Sequence, residues 1–273
     1  MPLADAAIIV DVDFATWNDG NSDGNVDDGE RIQDVSGNGY HGFWGGTTSN
    51  TPVISTPNGQ GIDTSGSNYG KVFLRDGLTG IPDAWDGGTT TTTPYFTLNG
   101  NASFTLEAVV NWNYTTQARN GLMGQTGGSQ VWIRESDGYL NYAFGVENTL
   151  DANLFSNTID ISAAKADGQW HGIAVVYDGT AGEIRTYLDG SLLHTNTDAD
   201  IGSLGTLLNG SNDFFLGAYN TTTSNYFDGL QDHYRISDTA LTTDQFLVVP
   251  EPATFGLVLA FGAAAMIRRR RIG

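Results

Sequence analysis

The densest chemistry in the chain lies near its start. The stretch Asp19-Gly20-Asn21-Ser22-Asp23-Gly24-Asn25-Val26-Asp27-Asp28-Gly29-Glu30 carries oxygen side chains at loop places 1, 3, 5 and 9, glycine at 6 and glutamate at 12, the pattern of a calcium-binding loop. Hard oxygen donors suit a hard cation, and the spacing has a geometric reason. Asp19, Asn21 and Asp23 alternate so that their oxygens converge, Gly24 permits a sharp turn, Asn25 offers its carbonyl, Asp27 stands at place 9 and Glu30 returns as a bidentate ligand. Val26 is the apolar residue such loops turn inward. A solvated, turn-rich loop is the competing reading, because Asp, Asn and Gly abound and no clear helices flank the stretch. Glutamate, however, occurs only six times in the chain, and one falls at the twelfth place. A lone loop without paired helices is expected to bind Ca2+ weakly, at about 10⁻⁴ to 10⁻³ M, as a structural clamp.

Other chemistry is sparse. The four histidines, His41, His171, His194 and His233, lack metal-ligand spacing, and the absence of cysteine removes disulfides, thiolate zinc sites and cysteine nucleophiles. No nucleophile elbow, phosphate loop or dinucleotide fingerprint appears. Six tryptophans invite a sugar-stacking role. Trp112 and Trp170 lie in strand-like runs and are expected in the core. Trp44 and Trp85 lie in Gly-rich stretches, where rim loops carry binding residues, and are the candidate ligand-binding side chains.

Charge narrows the partners. The chain has 12 basic and 31 acidic residues; without Arg268, Arg269, Arg270 and Arg271 the body keeps eight basic residues and a net charge of −23. Such a body repels nucleic acid and anionic lipid and attracts divalent cations.

The elements that must position these groups are strands. Ile8 to Phe14 is β-branched and partly alternating, Asp34 to Gly42 is turn chemistry, and residues 45 to 70, with Pro52 and Pro57, read as loop. Thr89 to Thr93 reads as an exposed connection. Strands are expected at Phe104–Trp112, Val131–Arg134, Tyr139–Phe144, Trp170–Tyr177, Glu183–Leu188, Ser191–His194, Phe214–Tyr219 and Phe227–Ile236. Asp137-Gly138 and Asp189-Gly190 are hairpin turns. No segment before the tail holds helical periodicity for three turns, apart from a short turn at Leu241 to Phe246. The fold class is therefore all-β, one antiparallel sandwich over residues 8–247.

Phe104-Thr105-Leu106-Glu107-Ala108, the run from Gly168-Gln169-Trp170-His171 to Asp178-Gly179, Tyr187-Leu188-Asp189-Gly190, Gly229 to Ile236 and Ala240-Leu241 resemble the laminin G-like, concanavalin A-like lectin/glucanase superfamily. Asp34 to Gly42 resembles that family's opening turn. The resemblance implies a jelly roll whose first and last strands are neighbours. Val109 and Gln231 depart from the residues usual there, Trp and Ile. Glucanases share this architecture, and a retaining glycosidase needs two carboxyls about 5–5.5 Å apart. Glu107 has no acidic residue at i+2 or i+4, so no catalytic residue is assigned and Glu107 reads as a structural or exposed strand carboxylate. The expected function is a non-catalytic module that binds glycan or matrix polysaccharide. The alternatives are a polysaccharide hydrolase or lyase of the same fold and a purely structural surface protein.

The tail speaks of address. Val249-Pro250-Glu251-Pro252 precedes the uncharged run Ala253 to Ile267 and then Arg268, Arg269, Arg270 and Arg271. As a short apolar helix that run reaches about 22 Å at about 1.5 Å per residue, short of the roughly 30 Å hydrocarbon core. Arginines beyond it would stay cytoplasmic, leaving the body outside. The three parts over 249–271 resemble the PEP-CTERM sorting signal of Gram-negative bacteria, which implies an exosortase-type processing enzyme, a transient stay in the inner membrane, and delivery to the cell surface or exopolysaccharide matrix. Met1 to Ala7 has neither a basic nor a long apolar region, so this start is expected to lie inside or after the true signal peptide.

Overall fold

The computed structural model describes residues 7–20, 22–46, 51–66, 70–74, 98, 102–112, 119–125, 129–134, 138–145, 153–164, 167–197, 201, 214–218, 225–247 and 249. These residues form seventeen strands: β1 (Ile8–Trp17), β2 (Asn25–Val26), β3 (Arg31–Asp34), β4 (Gly42–Gly46), β5 (Thr51–Thr56), β6 (Gly59–Asp63), β7 (Gly70–Leu74), β8 (Ser103–Asn111), β9 (Arg119–Gln125), β10 (Gln130–Arg134), β11 (Tyr139–Gly145), β12 (Asn153–Asp160), β13 (His171–Asp178), β14 (Glu183–Leu188), β15 (Ser191–Thr197), β16 (Phe214–Leu216) and β17 (Leu230–Ser237). The expected turn near the end is a 3-10 turn, Thr243–Gln245.

All pairings are antiparallel. One layer runs β15-β14-β13-β8-β17-β1, and the other runs β3-β4-β7-β16-β9-β10-β11-β12. Strand β1 is the corner between them. Its first part pairs with β17 (Val10↔Ile236, Asp13↔His233) and its end with β3 (Trp17↔Ile32). The first and last strands are thus neighbours, as a jelly roll requires. The β5–β6 hairpin extends the edge, pairing Gln231 with Ile62 and Asn25 with Pro52.

Period-two patterning fills the space between the layers. Val10, Val12 and Phe14 of β1, Phe104, Leu106, Ala108 and Val110 of β8, and Ile173, Val175 and Tyr177 of β13 point inward and are buried. Facing them are Val72, Leu74, Val131, Ile133, Leu140 and Phe144. Phe104 stacks on Tyr177 at 5.0 Å and meets Phe144 edge-on at 5.3 Å, which ties the two layers together. Each large apolar side chain buried this way contributes roughly 1.5–3 kcal/mol.

Two expectations change. Residues 45 to 70 hold strands: β5 and β6 form a hairpin around Pro57-Asn58, with Gly59 at φ 136°. Proline and glycine there mark the turn between short strands. The expected strand from Trp170 begins at His171, with Trp170 half-buried just before it.

Strand β13 is buried on both faces because the chain after β17 returns across the outside of its layer. Ala240 and Phe246 pack on Ala174, Val176 and Tyr187, and Phe246 meets Tyr187 edge-on at 4.9 Å. A Cβ added to Gly172 would lie 3.2 Å from Val249 Cγ2. Thr105 Oγ1 accepts the Leu241 N–H (2.9 Å) and donates to the Thr239 carbonyl (2.7 Å). Glu107, 1% exposed, receives Arg235 Nε (2.6 Å), Arg235 Nη2 (2.9 Å) and the Leu247 N–H (2.7 Å). Glu107 is therefore the fastening point of this returning strap, which agrees with a structural carboxylate. Among the described residues no helix is long and apolar enough to cross a membrane. The expected apolar helix and sorting segment after Val249 lie outside the described residues.

Candidate ligand-binding face

The acidic loop between β1 and β3 is closed by its own hydrogen bonds. The Asp19 carboxylate accepts the N–H groups of Ser22, Asp23 and Gly24. Glu30 Oε1 accepts from Gly20 N (2.8 Å), and Oε2 accepts from Trp17 Nε1 (2.7 Å) and Asp27 N (3.0 Å). Gly24 has φ 81°, the left-handed turn its place demands, and Val26 is fully buried. Asp19 and Glu30 thus stand at the two ends of a ring of donors. Among the described residues no three His, Asp or Glu side chains gather closely enough to hold a metal ion. Asn21 lies outside the described residues. The loop's oxygen chemistry suits Ca2+, but both Glu30 oxygens would have to exchange N–H donors for the cation.

Trp44 is not a surface residue. It lies in the middle of β4 with 0% exposure, and its backbone N–H donates to the Glu30 carbonyl at 2.9 Å. The glycines that made this stretch resemble a loop make room for large neighbours instead. A Cβ on Gly70 would come within 2.1 Å of the Trp44 ring, one on Gly45 within 2.2 Å of Phe73, and one on Gly42 within 2.4 Å of Val72. Trp85 lies outside the described residues. Trp112 is buried, as expected, beside His171 at 5.3 Å.

Accessible aromatic surface appears instead on the outer face of β9–β10–β11. Val131 and Ile133 point into the core, so alternation sends Trp132 and Arg134 outward. Trp132 stands opposite Gly121 on one side and Asn141 on the other. Arg134 stands opposite Arg119 and Tyr139. The Arg119 guanidinium lies 5.5 Å from the Trp132 ring centre, and that of Arg134 lies 5.7 Å from the Tyr139 ring centre. Trp132, Arg134 and Tyr139 are half-buried and Arg119 is exposed. Guanidinium groups over ring faces hold both partners in place by cation–π attraction of about 0.5–1 kcal/mol at exposed sites. The signal was present in Gln130-Val131-Trp132-Ile133-Arg134, whose alternation separates two inward aliphatic residues from an outward Trp–Arg pair. Which side of the strand faced outward depended on its neighbours.

The same face continues across β16 and β7. Phe215 pairs with Phe73 and Gly124, and Lys71 sits among Phe73, Phe215 and Tyr226, its ammonium 4.7–5.0 Å from their ring centres. Lys71 donates to Tyr226 Oη at 2.7 Å. Burial pushes the Tyr226 phenol up and keeps it protonated.

Three of the four histidines are held in hydrogen bonds within the fold. His41 Nδ1 accepts the Asp34 N–H at 3.1 Å, with its pKa lowered by burial and by Arg31, against Asp34. His233 bonds to Asp11 across β1 and β17. His171 is held between Asp189 (2.8 Å) and Asp167 (3.2 Å). Burial pulls its pKa down, but the two carboxylates outweigh that and raise it.

An antiparallel two-layer jelly roll with an aromatic–arginine outer face defines the class of the molecule. The chain belongs to the concanavalin A-like lectin/glucanases superfamily, whose laminin G-type profile matches residues 86–246. No sequence among the curated proteins matches it. Among solved structures it is similar to domain 4 of AbnA, a GH43 extracellular arabinanase from Geobacillus stearothermophilus, in complex with arabinotriose. That likeness has a TM-score of 0.56 at 18% identity and covers 88% of this chain and 96% of that one. It is also similar to the binding domain of botulinum neurotoxin DC in complex with SialylT (TM-score 0.51, 15% identity, 87% of this chain and 49% of that one). A third is the serotype D binding domain (TM-score 0.52, 11% identity, 87% and 50%). The chain thus spans about half the length of the neurotoxin binding domains. At these identities the likeness is one of fold.

Proposed function

We propose that the protein is a non-catalytic carbohydrate-binding module of the cell exterior, and that its ligand is a glycan or matrix polysaccharide. The observation that carries this reading is the partly exposed Trp132, set on rigid strand β10 with Gly121 opposite and Tyr139 on the same face. An aromatic ring held by a sheet presents an apolar platform to the C–H face of a pyranose at low entropic cost. The complexes of fold neighbours with arabinotriose and SialylT support the choice of ligand class. The decisive experiment is a glycan array with the purified domain, with and without calcium, beside Trp132→Ala. Binding lost in the variant at unchanged melting temperature is expected. Binding undiminished by the substitution removes this face from consideration, binding to no glycan refutes the module, and release of reducing sugar would make it a hydrolase.

We propose also that Ca2+ stiffens the loop through Asp19, Asn21, Asp23, Asn25, Asp27 and Glu30. Support comes from the spacing, the left-handed Gly24 and the inward Val26. Since Glu30 must release three N–H donors, affinity is expected near the weak end, about 10⁻³ M. Calorimetric titration of the protein and of an Asp19→Ala/Glu30→Gln double variant tests it; identical flat traces end the claim.

For the tail, Val249-Pro250-Glu251-Pro252, the apolar run and Arg268 to Arg271 support sorting by an exosortase-type enzyme after a transient stay in the inner membrane. Permanent membrane retention of the full chain in a host with that enzyme would overturn it.

A further inference from the structure

Resting on the reading of the tail as a transient membrane segment, we infer that the end of the sandwich from which the tail departs is a footing on the lipid surface, with Trp170, Leu192 and Leu193 at the headgroup–acyl boundary. The strap runs along β8 and β13 from Thr105, past Glu107, to Gly172, so the chain leaves the body at the end where β13 begins. Val249 is seated there, its Cγ2 3.2 Å from where a Gly172 Cβ would stand. Ala253, the start of the uncharged run, comes four residues later and so lies within about 14 Å of Val249, at roughly 3.3–3.6 Å per residue. That stretch is too short to hold the body off the bilayer. The run itself draws the body down. As a helix it reaches about 22 Å against a hydrocarbon core of roughly 30 Å, with Arg268 to Arg271 held on the far side. A span that short is accommodated by thinning of the bilayer and by flanking residues moving into the interface.

The surface at that end suits lipid. Among the described residues three large apolar side chains are exposed, Val35, Leu192 and Leu193, and two of them are adjacent here. Leu192, 54% exposed, stands in the row Ala174↔Tyr187↔Leu192, two strand spacings or about 10 Å across the sheet from Ala174. It therefore extends the apolar strip that Phe246 makes over Ala174 and Tyr187. Leu193, 41% exposed, falls where the register slips between Thr186↔His194 and Tyr187↔Leu192. A bulge on an edge strand re-aims side chains and obstructs pairing with a further strand, which favours lipid over a second copy of the chain. Strand β15, Ser191–Thr197, carries no acid in a chain that has 31. Asp167 and Asp189, which flank the start of β13 and the β14–β15 turn, are both bonded to His171. Half-buried Trp170, the residue before β13, supplies an amphipathic ring of the kind enriched at membrane interfaces.

The test uses the full chain, which has no cysteine of its own, in zwitterionic phosphatidylethanolamine–phosphatidylcholine vesicles with a chelator present. A single environment-sensitive fluorophore is attached at Ser191→Cys, beside the leucines, or at Val35→Cys, the exposed site near the start of β1 at the other end of the strands. A footing sinks about 5–10 Å into the headgroup–acyl boundary, so lipid with a nitroxide high on its acyl chain should quench the Ser191→Cys label about three-fold more than the Val35→Cys label. Adding Leu192→Ser/Leu193→Ser should bring the two to the same level. Equal quenching at both sites, or a Ser191→Cys signal undiminished by the serines, overturns the footing while a vesicle-bound chain leaves the tail reading intact. A chain that does not float with the vesicles overturns the tail reading and the footing together. A doubled mass in detergent, with the Ser191→Cys label already shielded there, assigns the leucines to a second copy and overturns the lipid assignment.

Discussion

Removing the Glu107 carboxylate should unlatch the C-terminal strap and destabilise the whole sandwich. Glu107 is 1% exposed, and its two oxygens receive Arg235 Nε and Nη2 and the Leu247 N–H. Arg235 is itself mostly buried, its side chain 12% exposed, so Glu107→Ala leaves an uncompensated cation and an orphaned amide beneath the strap. Removing one partner of a buried pair costs about 3–5 kcal/mol. Against a total stability of about 5–15 kcal/mol, that is a large share. At roughly 2–4 °C per kcal/mol for a domain of this size, the melting temperature should fall by about 6–20 °C. Replacing both charges, in Glu107→Leu/Arg235→Met, should recover most of the loss, because buried pairs commonly contribute little over well-packed apolar residues. Calorimetry gives the melting temperatures, and limited proteolysis near Phe246 and Leu247 reports the strap. A Glu107→Ala protein that melts within 2 °C of the parent, with an equally protected strap, would refute the reasoning.

Two other outcomes follow from the geometry. His171 has a folded pKa raised above its unfolded value by Asp189 and Asp167, so its contribution is fully present below about pH 6.5 and is lost as pH rises through the folded pKa. Unfolding free energy should decline across that window, and the decline should shrink in Asp189→Asn; an unchanged slope would argue against the His171–carboxylate clamp. Trp44→Ala should cost about 3–5 kcal/mol as a core cavity, read by denaturant unfolding. A stable variant that has lost only glycan binding would restore Trp44 to the ligand site.

Local pattern alone carried much of the architecture. Alternation in Phe104 to Asn111, and Asp189-Gly190 with both residues at positive φ (50° and 72°), are decided by neighbours a few residues away, so periodicity and turn chemistry reveal them. The acidic loop was legible in the same way, because its spacing is local. What the tertiary structure decided was which side of each strand faces water. Trp44 and Trp132 both stand on short strands. The opposing layer and the missing side chain at Gly70 let one lie in the core, while the other is left on the outer face beside Arg119. Glu107 became a latch only because Arg235 and Leu247, more than a hundred residues later, return to it. Such long-range pairings leave no periodic trace, since burial depends on what the rest of the chain places opposite.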